Sequence, residues 1–150
     1  MYSGSTLTNV SGNIVGAHQK IDKSSRKVLS GLLLNNKDFP SKKLILHFEG
    51  KNGPDSAMAK LDGEHAPWHF YDPFDPDDGQ LIEQINSHFK KLVDALIDKN
   101  LERSAFEASW LAHAIVDGLT PAHHYPFEEE LEKLRGEGKE TRDTILKKVV

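Results

Sequence analysis

Apolar residues recur at helical spacing in the first quarter of the chain. They predict an amphipathic helix over residues 14–34. The residues that form its apolar stripe are Ile14, Ile21, Val28 and Leu32. His18 falls on the same stripe, so we expect this histidine to face the core. The small and polar residues 1–12 predict an irregular leader.

Two longer helices are predicted in the second half of the chain. Residues 80–99 have the pattern of an amphipathic helix, and residues 101–118 that of a mostly apolar, buried helix. The apolar positions of the first helix are Leu81, Ile85, Phe89, Leu92 or Val93, and Leu96. Thr120 and Pro121 have the chemistry of an N-cap and a first-turn proline, which places His123 in the first turn of another short element.

The remaining segments complete an all-α domain with long loops. Residues 42–50 predict a short helix or strand, and residues 127–150 a charged helical tail. Residues 50–80 are rich in Gly, Pro and Asp and predict one long ordered loop. Its aromatic residues, which need packing partners, are Trp68, Phe70, Tyr71 and Phe74. We find no alternating strand pair and no repeat.

Composition narrows the chemistry available to this chain. Its 150 residues are enough for a single domain that buries about two-thirds of its unfolded surface. The formal net charge of -4 gives no basic field for nucleic acid, and the absence of cysteine excludes disulfides and thiolate metal sites. No signal peptide or membrane span is visible, so we expect a cytoplasmic protein without a clear protein partner.

The stretch HAIVDGLTPAHH, residues 113–124, is the strongest candidate site. His113 and Asp117 lie four residues apart on the predicted helix, so both side chains can reach one ion. His18 and Asp22 share this spacing, and such a chain is expected to contain about 0.6 pairs of this kind by chance. Only the pair of His113 and Asp117 is followed by another histidine ten residues after the first, at His123. Asp117 also opposes the helix dipole, which indicates a cationic partner.

Simpler interpretations remain for other polar residues. His18 taken alone is more often a hydrogen-bonded core histidine than a metal ligand. We interpret four further histidines as surface or loop residues: His47, His65, His88 and His124. The aspartates that flank Pro and Gly in the loop are typical of turns: Asp72, Asp75, Asp77 and Asp78.

A family resemblance is carried by the motifs WHFYDP at residues 68–73 and HAIVDGLTPAH at residues 113–123, with an aspartate fourteen residues before His69. In order and spacing they resemble the zinc-dependent phospholipase C and single-strand-specific nuclease superfamily, whose members share a helical fold around a trinuclear zinc cluster. The matching positions are His18, Asp55, His69, His113, Asp117 and His123, with Pro121 in place.

The resemblance implies a role for each of these residues. One zinc would be held by Asp55, His69, His113 and Asp117. Asp117 would bridge to a second zinc bound by His18, and His123 would belong to a third. Asp55 would double as a proton acceptor for the attacking water. The implied activity is hydrolysis of phosphoric esters by a metal-activated water, on phospholipid or single-stranded nucleic acid.

This chain departs from the family pattern in two ways. It has no amino-terminal tryptophan, and no histidine follows His124 to supply the family's later His-x3-Glu ligands. We therefore expect a chain incomplete at its C-terminus, from a family whose members are often secreted. Two alternatives stay open, namely a non-catalytic helical binding domain stabilised by one zinc and a metal-free interaction protein. A His-Asp dipeptide phosphohydrolase is excluded, because no such dipeptide occurs.

Overall fold

The computed structural model describes residues 17–32, 38–49, 53–59, 69–124 and 133–134. The regular elements of these residues are all helical, as the all-α prediction requires. The helices are α1 (Ala17–Leu32), α2 (Lys42–Glu49), α3 (Pro54–Ala59), α4 (Gln80–Ile97) and α5 (Leu101–Gly118), followed by a 3₁₀ turn at Pro121–His123. The predicted leader, the tail except residues 133–134, His65 and Trp68 lie outside the described residues.

Helices α4 and α5 form an antiparallel hairpin that contains most of the buried apolar residues. The side chain of Asn100 caps α5 by accepting a hydrogen bond from the Arg103 N–H. The start of α4 lies against the end of α5, where Leu81 and Ile85 flank Gly118. Helix α2 packs on α5, and α1 packs on both. The buried apolar residues are Ile45, Leu81, Leu92, Ala95, Ala105, Leu111 and Ala114.

The predicted core stripe of α1 is wrong, although His18 itself is buried. Ile21, Val28 and Leu32 are all exposed. The face of α1 that packs on the other helices is instead polar. On it, His18 pairs with Asp117 and Asp22 pairs with Glu49. The partners of these ionisable side chains thus decide which face of the helix is buried.

Two predictions for α4 also need correction. His88 is buried rather than a surface residue, because its Nδ1 hydrogen-bonds to Glu107 across the hairpin. Phe89, predicted to lie on the apolar face, is exposed. The observed buried face of α4 is therefore shifted by about one residue from the predicted apolar face.

The predicted loop over residues 50–80 contains a helix. Helix α3 begins at Pro54, whose missing N–H costs nothing at a first helical position, and Asp55 suits the positive end of the helix dipole. Further along, the turn prediction is confirmed, since Asp72 and Asp75 accept backbone hydrogen bonds within the turn. Phe74 points to solvent instead of packing.

The short element after α5 is present, with Pro121 in its first turn, but Thr120 does not cap it. The Thr120 hydroxyl donates to the Val116 carbonyl and so completes the end of α5 instead. Within the described part of the chain, no helix has the length and apolar character that crossing a bilayer would require.

Gly53 is needed where α2 meets α3. A Cβ atom on Gly53 would lie 2.8 Å from the Phe48 carbonyl oxygen and even closer to the carbonyl group of Glu49. Gly53→Ala must therefore displace backbone, and we expect it to lower the free energy of unfolding by about 1–3 kcal/mol. Thermal denaturation measures this loss, at roughly 2–4 °C of Tm for each kcal/mol.

Gly31→Ala is the matched control for this substitution. Gly31 lies in α1, and no atom lies within 4 Å of the position that its Cβ would take. Alanine is the better helix former, so Gly31→Ala should leave Tm unchanged or raise it slightly. An equal loss of Tm in both variants would contradict the close approach at Gly53.

Candidate metal centre

The six side chains predicted as metal ligands lie together in the structure. They come from five separate elements, which are α1 (His18), α3 (Asp55), the segment before α4 (His69), α5 (His113, Asp117) and the 3₁₀ turn (His123). Four of them are almost completely buried: His18, His69, His113 and Asp117. A cluster of ionisable groups without solvent around it requires mutual partners or a bound ion.

The carboxylate of Asp117 is the centre of the cluster. Its Oδ2 lies 2.7 Å from His69 Nδ1 and 3.2 Å from His113 Nε2. Its Oδ1 lies 3.3 Å from His18 Nε2 and 3.7 Å from His123 Nε2. Each oxygen of one carboxylate therefore faces two imidazole nitrogens, which is the arrangement expected of a bridging ligand.

The Nε2 atom of His113 contacts all three of its predicted co-ligands. It lies 3.4 Å from Asp55 Oδ1, 3.3 Å from His69 Nδ1 and 3.2 Å from Asp117 Oδ2. Donor atoms around a tetrahedral zinc, with bonds of about 2.0–2.1 Å, are about 3.3 Å apart. These three distances therefore suit one shared ion.

Two overlapping sets of donors result among the described residues. His18, His113 and Asp117 form one, and Asp55, His69 and His113 form the other, with the donor atoms of each set within 4.8 Å of one another. Imidazole and carboxylate donors suit zinc and other first-row divalent ions. The donor chemistry of these buried groups thus fits a bound divalent metal ion.

His123 and Asp55 lie at the accessible edge of the cluster. Their side chains are 16% and 13% exposed, against about 2% for Asp117. His123 Nδ1 donates to the His69 carbonyl, so its Nε2 is turned toward Asp117. The ring of Phe70 stacks on His123, and Tyr71 N–H donates to the His123 carbonyl. Two loop residues before α4 thus hold the 3₁₀ turn in place.

Sequence reasoning missed a second layer of polar groups behind His113. Glu49, at the end of α2, is 3% exposed and lies 3.1 Å from His113 Nδ1 through its Oε1. Its Oε2 accepts a hydrogen bond from Ser109, and Asp22 hydrogen-bonds to the same carboxyl group. The available signal was an acidic residue in the last turn of a helix, where it opposes the helix dipole as Asp117 does.

The proximity of imidazoles and carboxylates changes their pKa values. Burial alone would raise the pKa of Asp117, but hydrogen bonds from His113, His18 and His69 hold it well below its usual range. Burial alone would lower the pKa of His113, but its bonds with Asp117, Asp55 and Glu49 raise it to about 11. Burial, together with the charge of Glu49, raises the pKa of Asp22 to about 7.

Comparisons with known proteins add no assignment. No protein-family model, no curated protein and no solved structure matches this chain. The function of this chain must therefore be inferred from the side chains of the cluster and their geometry.

Metal binding should release protons. A metal ion at His113 Nε2 would displace the proton that the neighbouring carboxylates stabilise there. Because the pKa of His113 is raised to about 11, this proton is fully bound between pH 6 and pH 8 without metal. The apparent affinity should therefore rise about tenfold per pH unit for each displaced proton. Titration calorimetry in buffers of different ionisation enthalpy measures the release, and an affinity independent of pH would contradict it.

Proposed function

We propose that this protein is a zinc-dependent hydrolase of phosphoric esters that cleaves phosphodiester bonds with a metal-activated water. The observation that carries the proposal is the position of Asp117, whose two oxygens each face two imidazoles from different elements. Such a carboxylate is suited to hold two divalent ions side by side, and paired ions are a common device for phosphoryl transfer.

The order of these residues along the chain supports the same proposal. The six residues were selected from the sequence, because their order and spacing resemble those of the ligands in the zinc-dependent phospholipase C and single-strand nuclease superfamily. They also form one spatial cluster, although hydrogen-bonded members such as His69 and Asp117 are 48 residues apart. An accidental match in sequence gives no reason for this convergence.

Each residue has a proposed place. Asp55, His69, His113 and Asp117 Oδ2 would hold one zinc, and Asp117 Oδ1 with His18 a second. The resemblance assigns His123 to a third zinc. Its Nε2, however, approaches the same Asp117 oxygen as His18 Nε2, at 3.7 Å, which supports a role beside the second ion.

The proposed chemistry divides between the metal and the protein. Bound divalent ions lower the pKa of a water molecule and stabilise charge on phosphoryl oxygens. The protein keeps the Asp117 carboxylate ionised at any physiological pH, because hydrogen bonds from imidazoles hold its pKa well below its usual range. Asp55 is the more exposed of the two predicted carboxylate ligands, which supports a role as proton acceptor for the attacking water. The substrate class is a phospholipid head group or single-stranded nucleic acid.

A second function is favoured by one feature of the same cluster. Four protein donors meet around His113 Nε2, itself included, and a zinc shell closed by four protein ligands is typical of structural sites. The alternative is thus a non-catalytic helical domain that one zinc stabilises.

Zinc content and hydrolysis test the first function. The purified protein should hold one to three zinc ions per chain by elemental analysis and should hydrolyse bis(p-nitrophenyl) phosphate. Asp117→Asn removes the bridging charge, so we expect zinc affinity to fall by more than about 100-fold, beyond the loss typical of outer-shell changes, and hydrolysis to stop. Asp94→Asn, an exposed carboxylate of α4, is the matched control. A metal-free wild type, or equal activity in Asp117→Asn, would refute the proposal.

Removing zinc with a chelator distinguishes the catalytic role from the structural one. A structural zinc should occur at about one per chain, and its removal should lower Tm strongly, because a ligand at 1,000 times its Kd stabilises a fold by about 4 kcal/mol. Differential scanning calorimetry with and without chelator measures the change. A large loss of Tm without phosphodiester hydrolysis at any zinc loading would favour the structural role, and hydrolysis restored by added zinc would exclude it.

A further inference from the structure

Glu49 is a buried carboxylate that the proposed ligand set does not include. It ends α2 and is 3% exposed. Its Oε1 lies 3.1 Å from His113 Nδ1, and its Oε2 accepts a hydrogen bond of 3.0 Å from the Ser109 hydroxyl. Ser109 and His113 are four residues apart on α5, so the two oxygens of Glu49 contact successive turns on one face of that helix.

The two nitrogens of His113 have different surroundings. Both face carboxylate oxygens, but Nε2 alone also faces the His69 nitrogen among the predicted co-ligands, so a metal would bind at Nε2. In the neutral, metal-bound ring the hydrogen is then on Nδ1, where the Glu49 oxygen accepts it. The lone pair is then on Nε2, the atom that lies 3.2–3.4 Å from the donor atoms of Asp55, His69 and Asp117. The Ser109 bond keeps the second Glu49 oxygen in place and so fixes the direction of the first.

We propose that Glu49 is a positioning residue that binds no metal itself but orients His113, fixes its Nε2-donor tautomer and strengthens it as a ligand. This inference rests on the metal centre of the proposed function, and it adds a specific residue, 64 positions from His113, on which metal affinity depends. A carboxylate behind a ligating histidine raises the basicity of the ring and restrains its rotation.

The chain offers a matched control in a second carboxylate and imidazole pair. Glu107 is 0% exposed and pairs with His88 Nδ1, as Glu49 pairs with His113 Nδ1. The ring of His88 contacts those of Phe106 and Trp110, and His88 belongs to neither donor set. Glu49→Gln and Glu107→Gln therefore each remove a charge from a buried carboxylate and imidazole pair. Glu107 also pairs with Arg103, and only Glu49 is connected to the proposed metal site.

The test measures zinc affinity by competition with a chromogenic chelator at one pH, on variants whose helical content matches the wild type by circular dichroism. We expect Glu49→Gln to weaken zinc binding about 10- to 100-fold, which is the usual cost of losing an outer-shell partner. Ser109→Ala should weaken it less and in the same direction. Glu107→Gln should stay within about twofold of the wild type, even where its Tm falls.

A second measurement does not depend on the folding of any variant. Long-range ¹H–¹⁵N NMR of the zinc-loaded wild type should show His113 with its hydrogen on Nδ1 and its metal bond at Nε2. Zinc binding unchanged in Glu49→Gln, or His113 bound through Nδ1, would overturn the role of Glu49 while the metal centre stands. A wild type that binds no zinc would overturn both. Loss of phosphodiester hydrolysis alone affects neither readout.

Discussion

The buried carboxylate of Asp117 is the constraint around which this structure is arranged. A carboxylate that is 1% exposed carries a large desolvation penalty unless charges or hydrogen-bond donors surround it. Here His18, His69 and His113 provide them, and together they lower the pKa of Asp117 despite its burial. Helix α1 and the segment before α4 are thus tied to one side chain in the last turn of α5.

The α4 and α5 hairpin supplies the frame that this constraint needs. Its buried apolar residues, such as Leu81 and Ala105, are independent of the ionisable cluster. The cluster lies where α1, α2 and the 3₁₀ turn meet the last turns of α5. Among the side chains that the structure describes, those neighbours bury fewer apolar residues than the hairpin, so polar contacts to α5 contribute to their position. A ligand that binds the cluster would therefore stabilise the parts of the fold with the smallest apolar core.

Local relations were predictable from the sequence, and distant ones were not. The pairing of His113 with Asp117 is a consequence of helical periodicity alone, and the limits of α5 are set by its apolar pattern. The buried face of α1 was predicted wrongly because the pattern of Ile21, Val28 and Leu32 is local, whereas the partner of His18 lies 99 residues away on α5. Only the family resemblance predicted that all six ligand candidates lie together in space, because helical periodicity gives no information about residues separated by loops.

Two buried glutamates show what spacing rules cannot predict. Glu49 and Glu107 both pair with a histidine Nδ1, and Glu107 also pairs with Arg103, four residues before it. The difference lies in the other nitrogen of each imidazole. That of His113 faces three further donor atoms, whereas the ring of His88 contacts the aromatic rings of Phe106 and Trp110. The pair of Glu107 and His88 therefore joins α4 to α5, whereas the pair of Glu49 and His113 orients a candidate metal ligand. The environment of the second ring nitrogen decides which of these roles a glutamate and histidine pair has.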